Sequence, residues 1–292
     1  MRFISITKPT IILGNIITSL GGYFLGASAA NGAVGAEGQH NFLQLLAMVS
    51  GLSLVVASGC ILNNYTDRDI DKLMERTKNR VLVTGLVSGR SAIIYALILG
   101  IVGFSLLYFY VNLLAAILAL GGFFFYVVAY AWWFKRRSIY GTLIGSIAGA
   151  VPPVVGYCAV TNSFDSGAIL LFLILFLWQM PHFYAICIYR LEDYTSATLP
   201  ILPIKKNIHF TKLSIIAYII AFTLTALMPT LFGYTGRAYF AVTLLMGLSW
   251  LYLGMQGLKN SQSSSDKLWS HKMFIFSIIN ITLLCMMISI DS

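Results

Sequence analysis

The 292-residue sequence predicts an all-α, polytopic integral membrane protein with nine transmembrane helices bundled around a central cavity. Hydrophobic residues make up 58% of the chain and charged residues only 10%, whereas a soluble domain carries roughly 25% charged residues. Apolar stretches of about 20 residues, the length needed to cross a hydrocarbon core, recur along the whole sequence. The polar breaks between them are too short for a separate soluble domain, so we expect one transmembrane domain over residues 1–292.

Each predicted span is an apolar run that ends at a polar or charged break. The first span follows Lys8, and the second ends before the charged stretch that begins at Asn63. The shortest break lies between the third and fourth spans, where Asn112 alone interrupts the apolar run. Pro152 and Pro153 must interrupt the fifth helix, because proline lacks a backbone N–H. The predicted spans are residues 9–30, 41–62, 91–110, 113–133, 140–161, 166–189, 211–231, 238–257 and 272–290.

Lysine and arginine residues determine the predicted orientation, because short loops rich in them stay on the cytoplasmic side. With nine spans, eighteen of the nineteen fall on one side and Arg237 alone falls on the other. We therefore expect a cytoplasmic N-terminus and an external C-terminus. This bias explains most of the net charge of +9, so membrane lipids are expected partners and nucleic acid is not. The chain begins without a transit-like leader, which favours the bacterial inner membrane.

Acidic residues cluster on the same side, in a way that the charge rule does not explain. On a continuing helix, Asn64, Asp67 and Asp71 are spaced i, i+3, i+7 and share one stripe, whereas Asp69 points roughly the opposite way. Two carboxylates and an amide oxygen on one face are ligands of the type that Mg²⁺ takes, together with waters and substrate phosphates. The alternative is a solvated loop whose acids pair with nearby cations. Six acids lie in the loops after the second and sixth spans: Asp67, Asp69, Asp71, Glu75, Glu192 and Asp193.

Basic residues follow the first acidic stretch directly. Arg76 and Arg80 come one to two turns beyond the acids, and planar guanidinium groups bind phosphate oxygens bidentately. Acids followed by bases beside an apolar interior suggest an amphiphilic substrate with a polyphosphate head. The alternative for each arginine is a role in topology or in contact with lipid headgroups.

Several motifs resemble those of a known enzyme family. The run N-x-x-x-D-x-x-x-D at Asn63, Asp67 and Asp71, followed by ERTKNR, is similar to the first signature of the UbiA-type intramembrane prenyltransferases. Most members have Asp where this chain has Asn64, and NNYTDRDID as a unit resembles the branch that farnesylates protohaem IX. Three further stretches resemble that branch: ITKP at 6–9, KRRSIYGTLIGSIAGAVPPVVGY at 135–157, and WQMPHFYAICIYRLEDY at 178–194 with LPILP at 199–203.

The resemblance implies a Mg²⁺-dependent transfer of the farnesyl group of farnesyl diphosphate to the 2-vinyl group of haem b. It also implies haem-copper oxidase assembly factors as partners. The second acidic motif of the family is usually D-x-x-x-D, whereas Tyr189 and Asp193 occupy the matching positions here. Glu192 does not replace the missing carboxylate, because it lies about 100° round the helix from Asp193. The expected Mg²⁺ ligands are Asn64, Asp67, Asp71 and Asp193, and the expected diphosphate ligands are Arg76, Arg80, Lys135, Arg136 and Lys8.

His182 is the expected contact to haem b. It follows Pro181 inside the sixth span, and an ionisable residue in a membrane helix is a functional candidate by default. Histidine is a common axial ligand of haem iron. On an unbroken helix His182 shares a stripe with Asp193, about 16 Å away along the axis. The simpler alternative is that His182 bonds a backbone carbonyl freed by Pro181.

Two other functions stay open on the sequence. One is a prenyltransferase of the same family that acts on an aromatic quinone precursor, and the other is a non-enzymatic transporter. An aromatic acceptor contains no iron that needs an imidazole, so His182, with Asn64 and Tyr189, favours haem. Transporters usually place charged residues near the bilayer midplane, whereas this chain keeps its acids at one face.

Overall fold

The computed structural model describes residues 2–31, 42–259 and 263–292. Within these ranges every regular element is a helix, and nine helical segments are long and apolar enough to cross a membrane. The predicted all-α fold with nine spans is confirmed, whereas the central cavity stays a prediction. The predicted start of the second span, residue 41, lies outside the described ranges. Spans 1 to 9 are Pro9–Ala30, Phe42–Thr66, Gly89–Tyr110, Leu113–Arg137, Gly141–Thr161, Ser166–Tyr189, Ile208–Leu231, Arg237–Lys259 and Ser265–Asp291.

The start of span 9 differs from the prediction. Its helix begins at Ser263 rather than at residue 272. The extra turns are polar, but Asp266 and Trp269 are buried there, and Asp266 accepts a hydrogen bond from Lys212 of span 7. Packing against neighbouring helices therefore keeps these turns helical, and a hydropathy pattern does not report such packing.

Consecutive spans are neighbours in space, and span 1 closes the ring by packing against spans 5 and 9. Two glycines allow the approach of spans 1 and 5. A Cβ on Gly22 would overlap the carbonyl oxygen of Pro153, and a Cβ on Gly156 would overlap that of Ser19. Small residues permit such backbone contact between membrane helices. Larger side chains, among them Trp250, fill the interior between spans 5 to 9.

Two spans depart from a continuous α-helix. Span 5 consists of Gly141–Gly149 and Val151–Thr161, with Pro152 and Pro153 in the first turn of the second helix; this break confirms the prediction from the two prolines. Span 4 contains a π-helix over Phe125–Phe134, which the sequence pattern did not predict. π-Helices are rare and occur frequently at functional sites. Because this one ends directly before Lys135, its wider turns set the direction in which the basic residues at the end of span 4 point.

Candidate active site

The end of span 2 places the first acidic motif in the protein interior. The helix bends at Asp67, but the amide of Asp67 still donates to the Asn63 carbonyl at 2.9 Å and the amide of Asp71 to the Asp67 carbonyl at 2.8 Å. The predicted stripe is therefore preserved. Asn64, Asp67 and Asp71 are only 5%, 1% and 2% exposed. Carboxylates buried to this extent are costly unless a cation pairs with them.

Basic side chains from two other segments supply these cations. Lys135 Nζ donates to Asp67 Oδ2, and Arg136 Nη2 lies 3.9 Å from Asp67 Oδ1. Arg80 Nη1 donates to Asp71 Oδ2 at 2.7 Å and contacts Asn64 Oδ1 at 3.3 Å. The structure thus brings together three expected diphosphate ligands and three expected metal ligands.

The N-terminal segment packs onto the same end of span 2. Lys8 Nζ donates to Asn63 Oδ1 at 2.9 Å, and Asn64 Nδ2 donates to the Ile6 carbonyl at 2.9 Å. Lys8 has a φ of 55°, and non-glycine residues in this left-handed region occur often at functional sites. Burial lowers the pKa of the Lys8 ammonium to about 8. Sequence reasoning did not assign a role to Asn63, whose amide oxygen holds Lys8.

The loop after span 6 carries the second acidic motif and packs against the first. Arg76 Nε lies 4.0 Å from Asp193 Oδ2, and Ser196 Oγ donates to the Leu73 carbonyl at 2.9 Å. A small buried hydrophobic cluster supports this contact with side chains from both loops: Ile70, Met74, Ala197 and Leu199. The two acidic loops therefore meet at one end of the helix bundle.

Arg136 has a more specific position than the sequence indicated. Its guanidinium donates to both carboxylate oxygens of Asp69, at 2.6 and 2.7 Å, and to the Thr66 carbonyl. This bidentate hydrogen bonding lowers the pKa of Asp69. Asp69, on the opposite side of the helix from Asp67, therefore turns Arg136 partly away from the Asp67 pair.

The chemistry of the donor set fits Mg²⁺ bound together with a phosphate-bearing substrate. Asp67 Oδ1 is buried and has no hydrogen-bond partner, so it is free to act as a metal ligand. Among the residues described, no group of three or more His, Cys, Asp or Glu side chains is close enough to hold a metal by itself. Magnesium is normally held by one or two carboxylates plus waters and substrate phosphates rather than by an all-protein cage.

Tyr189 occupies the position where the second acidic motif usually has its other carboxylate. The Tyr189 ring packs against the His271 ring of span 9 with a centroid distance of 4.7 Å, and the Arg190 guanidinium lies 4.5 Å from the Tyr189 centroid. Tyr189 thus links spans 6 and 9 through ring packing. Among the described residues, Asp193 and Glu192 are the only acids of this loop, and Glu192 is paired instead with Lys267 at 3.9 Å.

The side chain of His182, on span 6, faces span 9, and its ring stacks on that of Trp178 with a centroid distance of 4.8 Å. Ser277 Oγ donates to the Phe274 carbonyl at 2.6 Å, so it accepts the hydrogen bond from His182 Nδ1 at 2.7 Å. The neutral ring therefore carries its proton on Nδ1, and Nε2 keeps a free lone pair. The ring bonds Ser277 rather than a carbonyl freed by Pro181.

The sequence analysis assumed one unbroken helix from His182 to Asp193, but the structure interrupts this helix. Span 6 ends at Tyr189, Arg190 has φ −110° and ψ 28°, and a separate helix covers Leu191–Ser196. The shared stripe and the 16 Å separation required an unbroken helix, and that condition is not met. Asp193 reaches the first acidic loop because the chain turns at Arg190.

Comparison with known proteins gives a consistent picture. Residues 19–278 match the UbiA prenyltransferase family. A Sodalis glossinidius protein named protoheme IX farnesyltransferase is 51% identical over 290 residues, 99% of this chain and 94% of that protein. A protein of the same name from Pseudomonas savastanoi pv. phaseolicola is 52% identical over the same shares.

Solved structures of low sequence identity share the fold. One, described as digeranylgeranylglyceryl phosphate synthase, has a TM-score of 0.76 at 18% identity and covers 99% of this chain and 96% of that one. Another, a UbiA homolog from Archaeoglobus fulgidus bound to GPP and Mg²⁺, has a TM-score of 0.70 at 14% identity, with coverage of 96% and 99%. The family match spans most of the sequence, and this chain belongs to the UbiA prenyltransferase family.

Proposed function

We propose that the protein transfers the farnesyl group of farnesyl diphosphate to the 2-vinyl group of haem b, in a Mg²⁺-dependent reaction that releases diphosphate. The observation that carries this proposal is the buried pair Asp67 and Asp71, which faces basic side chains and the second acidic loop at one end of the bundle. The relatives named protoheme IX farnesyltransferase, 51 and 52% identical over nearly the whole chain, support this pair of substrates.

Asp67 and Asp71 are the proposed main ligands of Mg²⁺, with Asn64 and Asp193 as further oxygen donors. When bound, Mg²⁺ draws negative charge from the diphosphate and so favours cleavage of the allylic C–O bond. Lys135 and Arg80 pair with the two carboxylates in the structure. Both have long side chains, so we propose that they exchange the carboxylates for phosphate oxygens when the donor binds.

The reaction breaks the bond between C1 of the farnesyl chain and a diphosphate oxygen, and the electron pair leaves with the diphosphate. The π electrons of the vinyl group form the new C–C bond to C1. Water adds to the positive carbon that remains and loses a proton, which completes a hydroxyethylfarnesyl substituent. Once the donor is bound, cations already in contact with the leaving group stabilise its growing charge without further reorganisation. The proposed set is Arg76, Arg80, Lys135, Lys8 and, through its weaker contact to the site, Arg136.

His182 is the proposed contact to haem b. Its Nδ1 proton is held by Ser277, and a histidine that binds a metal usually donates its other N–H in this way, which orients the ring and fixes the tautomer. Nε2 is therefore the nitrogen available to the haem iron. The rings around His182, those of Trp178 and Phe274, provide apolar surface for a porphyrin face.

The proposed location is the bacterial inner membrane, with the acidic loops and the N-terminus in the cytoplasm, because that side carries eighteen of the nineteen Lys and Arg residues. Haem-copper oxidase assembly factors are the proposed recipients of the product. Cysteines introduced at Glu75 and at Phe164 test the orientation, since both positions are exposed at opposite ends of the bundle. A thiol reagent that cannot cross the membrane should label only the second in intact cells.

The decisive assay incubates the purified protein with haem b, farnesyl diphosphate and Mg²⁺ and resolves the products by mass. We expect one product that carries a hydroxyethylfarnesyl group, with none formed when EDTA is present. A parallel incubation replaces haem b by an aromatic quinone precursor. Prenylation of the aromatic acceptor with haem b left unchanged would refute the proposed acceptor while leaving the prenyltransferase assignment intact.

A further inference from the structure

A polar cleft of about 670 Å³ lies beside the end of span 2, and the Asp69–Arg136 pair forms part of its lining. None of Asp67, Asp71, Asp193, Arg80 and Lys135 lines this cleft, so it adjoins the proposed donor site and shares only the peripheral Arg136 with it. Four cations and one carboxylate line it, together with aromatic and apolar side chains. Its charged residues are Arg68, Lys72, Arg136, Arg137 and Asp69.

Three of the four cations have no carboxylate partner within the part of the chain that the structure describes. Asp69 is occupied by its bidentate contact with Arg136. The Arg68 guanidinium lies 3.9 Å from the centroid of Tyr65, and that of Arg137 lies 4.3 Å from the centroid of Trp133. These ring contacts position the two guanidinium groups but leave their charge uncompensated, so the cleft is suited to an anion.

An apolar groove of about 450 Å³ continues from this cleft along the π-helical part of span 4. Trp132 and Arg137 line both the cleft and the groove. The other groove residues are apolar, including Val128, and Trp132 is 72% exposed on the lipid-facing surface. A charged cleft at the membrane surface that opens into an apolar groove matches a molecule with an anionic head and a hydrocarbon chain.

We propose that the cleft and groove together bind an anionic glycerophospholipid of the surrounding leaflet, with its phosphate between Arg68, Lys72 and Arg137 and an acyl chain along Trp132. Basic pockets at the ends of membrane helices are suited to such headgroups. Arginine also forms the bidentate contacts that phosphate oxygens favour. Farnesyl diphosphate is a less suitable occupant, because the cleft lacks the buried carboxylates that would hold its metal.

Native mass spectrometry of the full-length, detergent-purified protein tests this proposal with phosphatidylglycerol and phosphatidylcholine of identical acyl chains. We expect preferential retention of phosphatidylglycerol by the unaltered protein. The double variant Lys72→Gln/Arg137→Gln should bind it about 25-fold more weakly, from about fivefold for each cation. The matched control Lys205→Gln/Lys206→Gln removes two exposed lysines from the same end of the bundle, outside the cleft, and should bind normally.

Two results of the lipid-binding measurements would overturn the proposal. One is equal retention of both lipids by the unaltered protein, which requires no variant to fold. The other is an equal loss in the double variant and its control, because this would indicate a general effect of surface charge. A titration with farnesyl diphosphate identifies the occupant. If farnesyl diphosphate displaces phosphatidylglycerol and also binds more weakly to the double variant, the cleft belongs to the donor instead. Unchanged donor binding supports a separate lipid site.

Discussion

Replacement of Asp67 by Asn tests the proposed metal site most directly. The substitution keeps the size of the side chain and removes the negative charge of a residue that is only 1% exposed. Breaking a buried ion pair costs about 3–5 kcal/mol when the partner is left unpaired in the interior. Here Lys135 is 17% exposed and Arg136 keeps its pair with Asp69, so we expect a smaller loss of unfolding free energy, about 1–3 kcal/mol. A stability of about 5–15 kcal/mol leaves most of the protein folded.

The expected loss of activity is much larger. Removing one fixed group that stabilises transition-state charge typically lowers kcat about 100- to 1000-fold. A charged metal ligand should have an effect at the upper end of that range. The assay measures farnesylated haem by mass under saturating Mg²⁺, and size-exclusion chromatography and circular dichroism of the same sample report folding.

Asp69→Asn is the matched control, since Asp69 is the same residue type two positions along and its side chain is 66% exposed. We expect its kcat to stay within about fivefold of the unaltered protein, because an exposed ion pair contributes at most about 1 kcal/mol. A folded Asp67→Asn protein that keeps more than a tenth of its activity would refute the metal assignment. An equal loss in both variants would point to the position of Arg136 instead.

Three further predictions concern the acceptor, the N-terminal lysine and the packing of spans 1 and 5. His182→Ala should abolish the visible spectrum of protein-bound haem b while leaving the Kd for farnesyl diphosphate unchanged. Equal weakening of haem binding and donor binding would remove His182 from the acceptor site. Burial lowers the pKa of Lys8 to about 8, so its ammonium is charged below pH 8 and loses its charge above it. The KM for farnesyl diphosphate should therefore rise above pH 8 in the unaltered protein, but not in the Lys8→Gln variant. Gly156→Ala places a methyl group against the Ser19 carbonyl and should lower the free energy of unfolding by about 1–3 kcal/mol, which a thermal melt will detect. Gly14→Ala, where a Cβ meets no neighbour, is its control, and equal melting temperatures would contradict the packing argument.

The sequence by itself determined the nine spans, because the length of an apolar run and the positions of its breaks are local properties. The length can be compared directly with the thickness of the hydrocarbon core. It also determined the stripe of Asn64, Asp67 and Asp71, since helical spacing alone places these residues on one face. The two prolines of span 5 predicted the break that the structure shows, because a proline, which lacks a backbone N–H, interrupts the helical hydrogen bonding at its own position.

Tertiary structure alone decided which charges meet. Lys135 pairs with Asp67 across 68 positions of sequence, and this contact depends on the packing of span 4 and on a π-helix that hydropathy does not reveal. The turn at Arg190 brings Asp193 to Arg76, and Ser277 of span 9 fixes the tautomer of His182. Each of these contacts joins side chains from separate segments of the chain, and their positions follow from how these segments pack rather than from the spacing within any one of them.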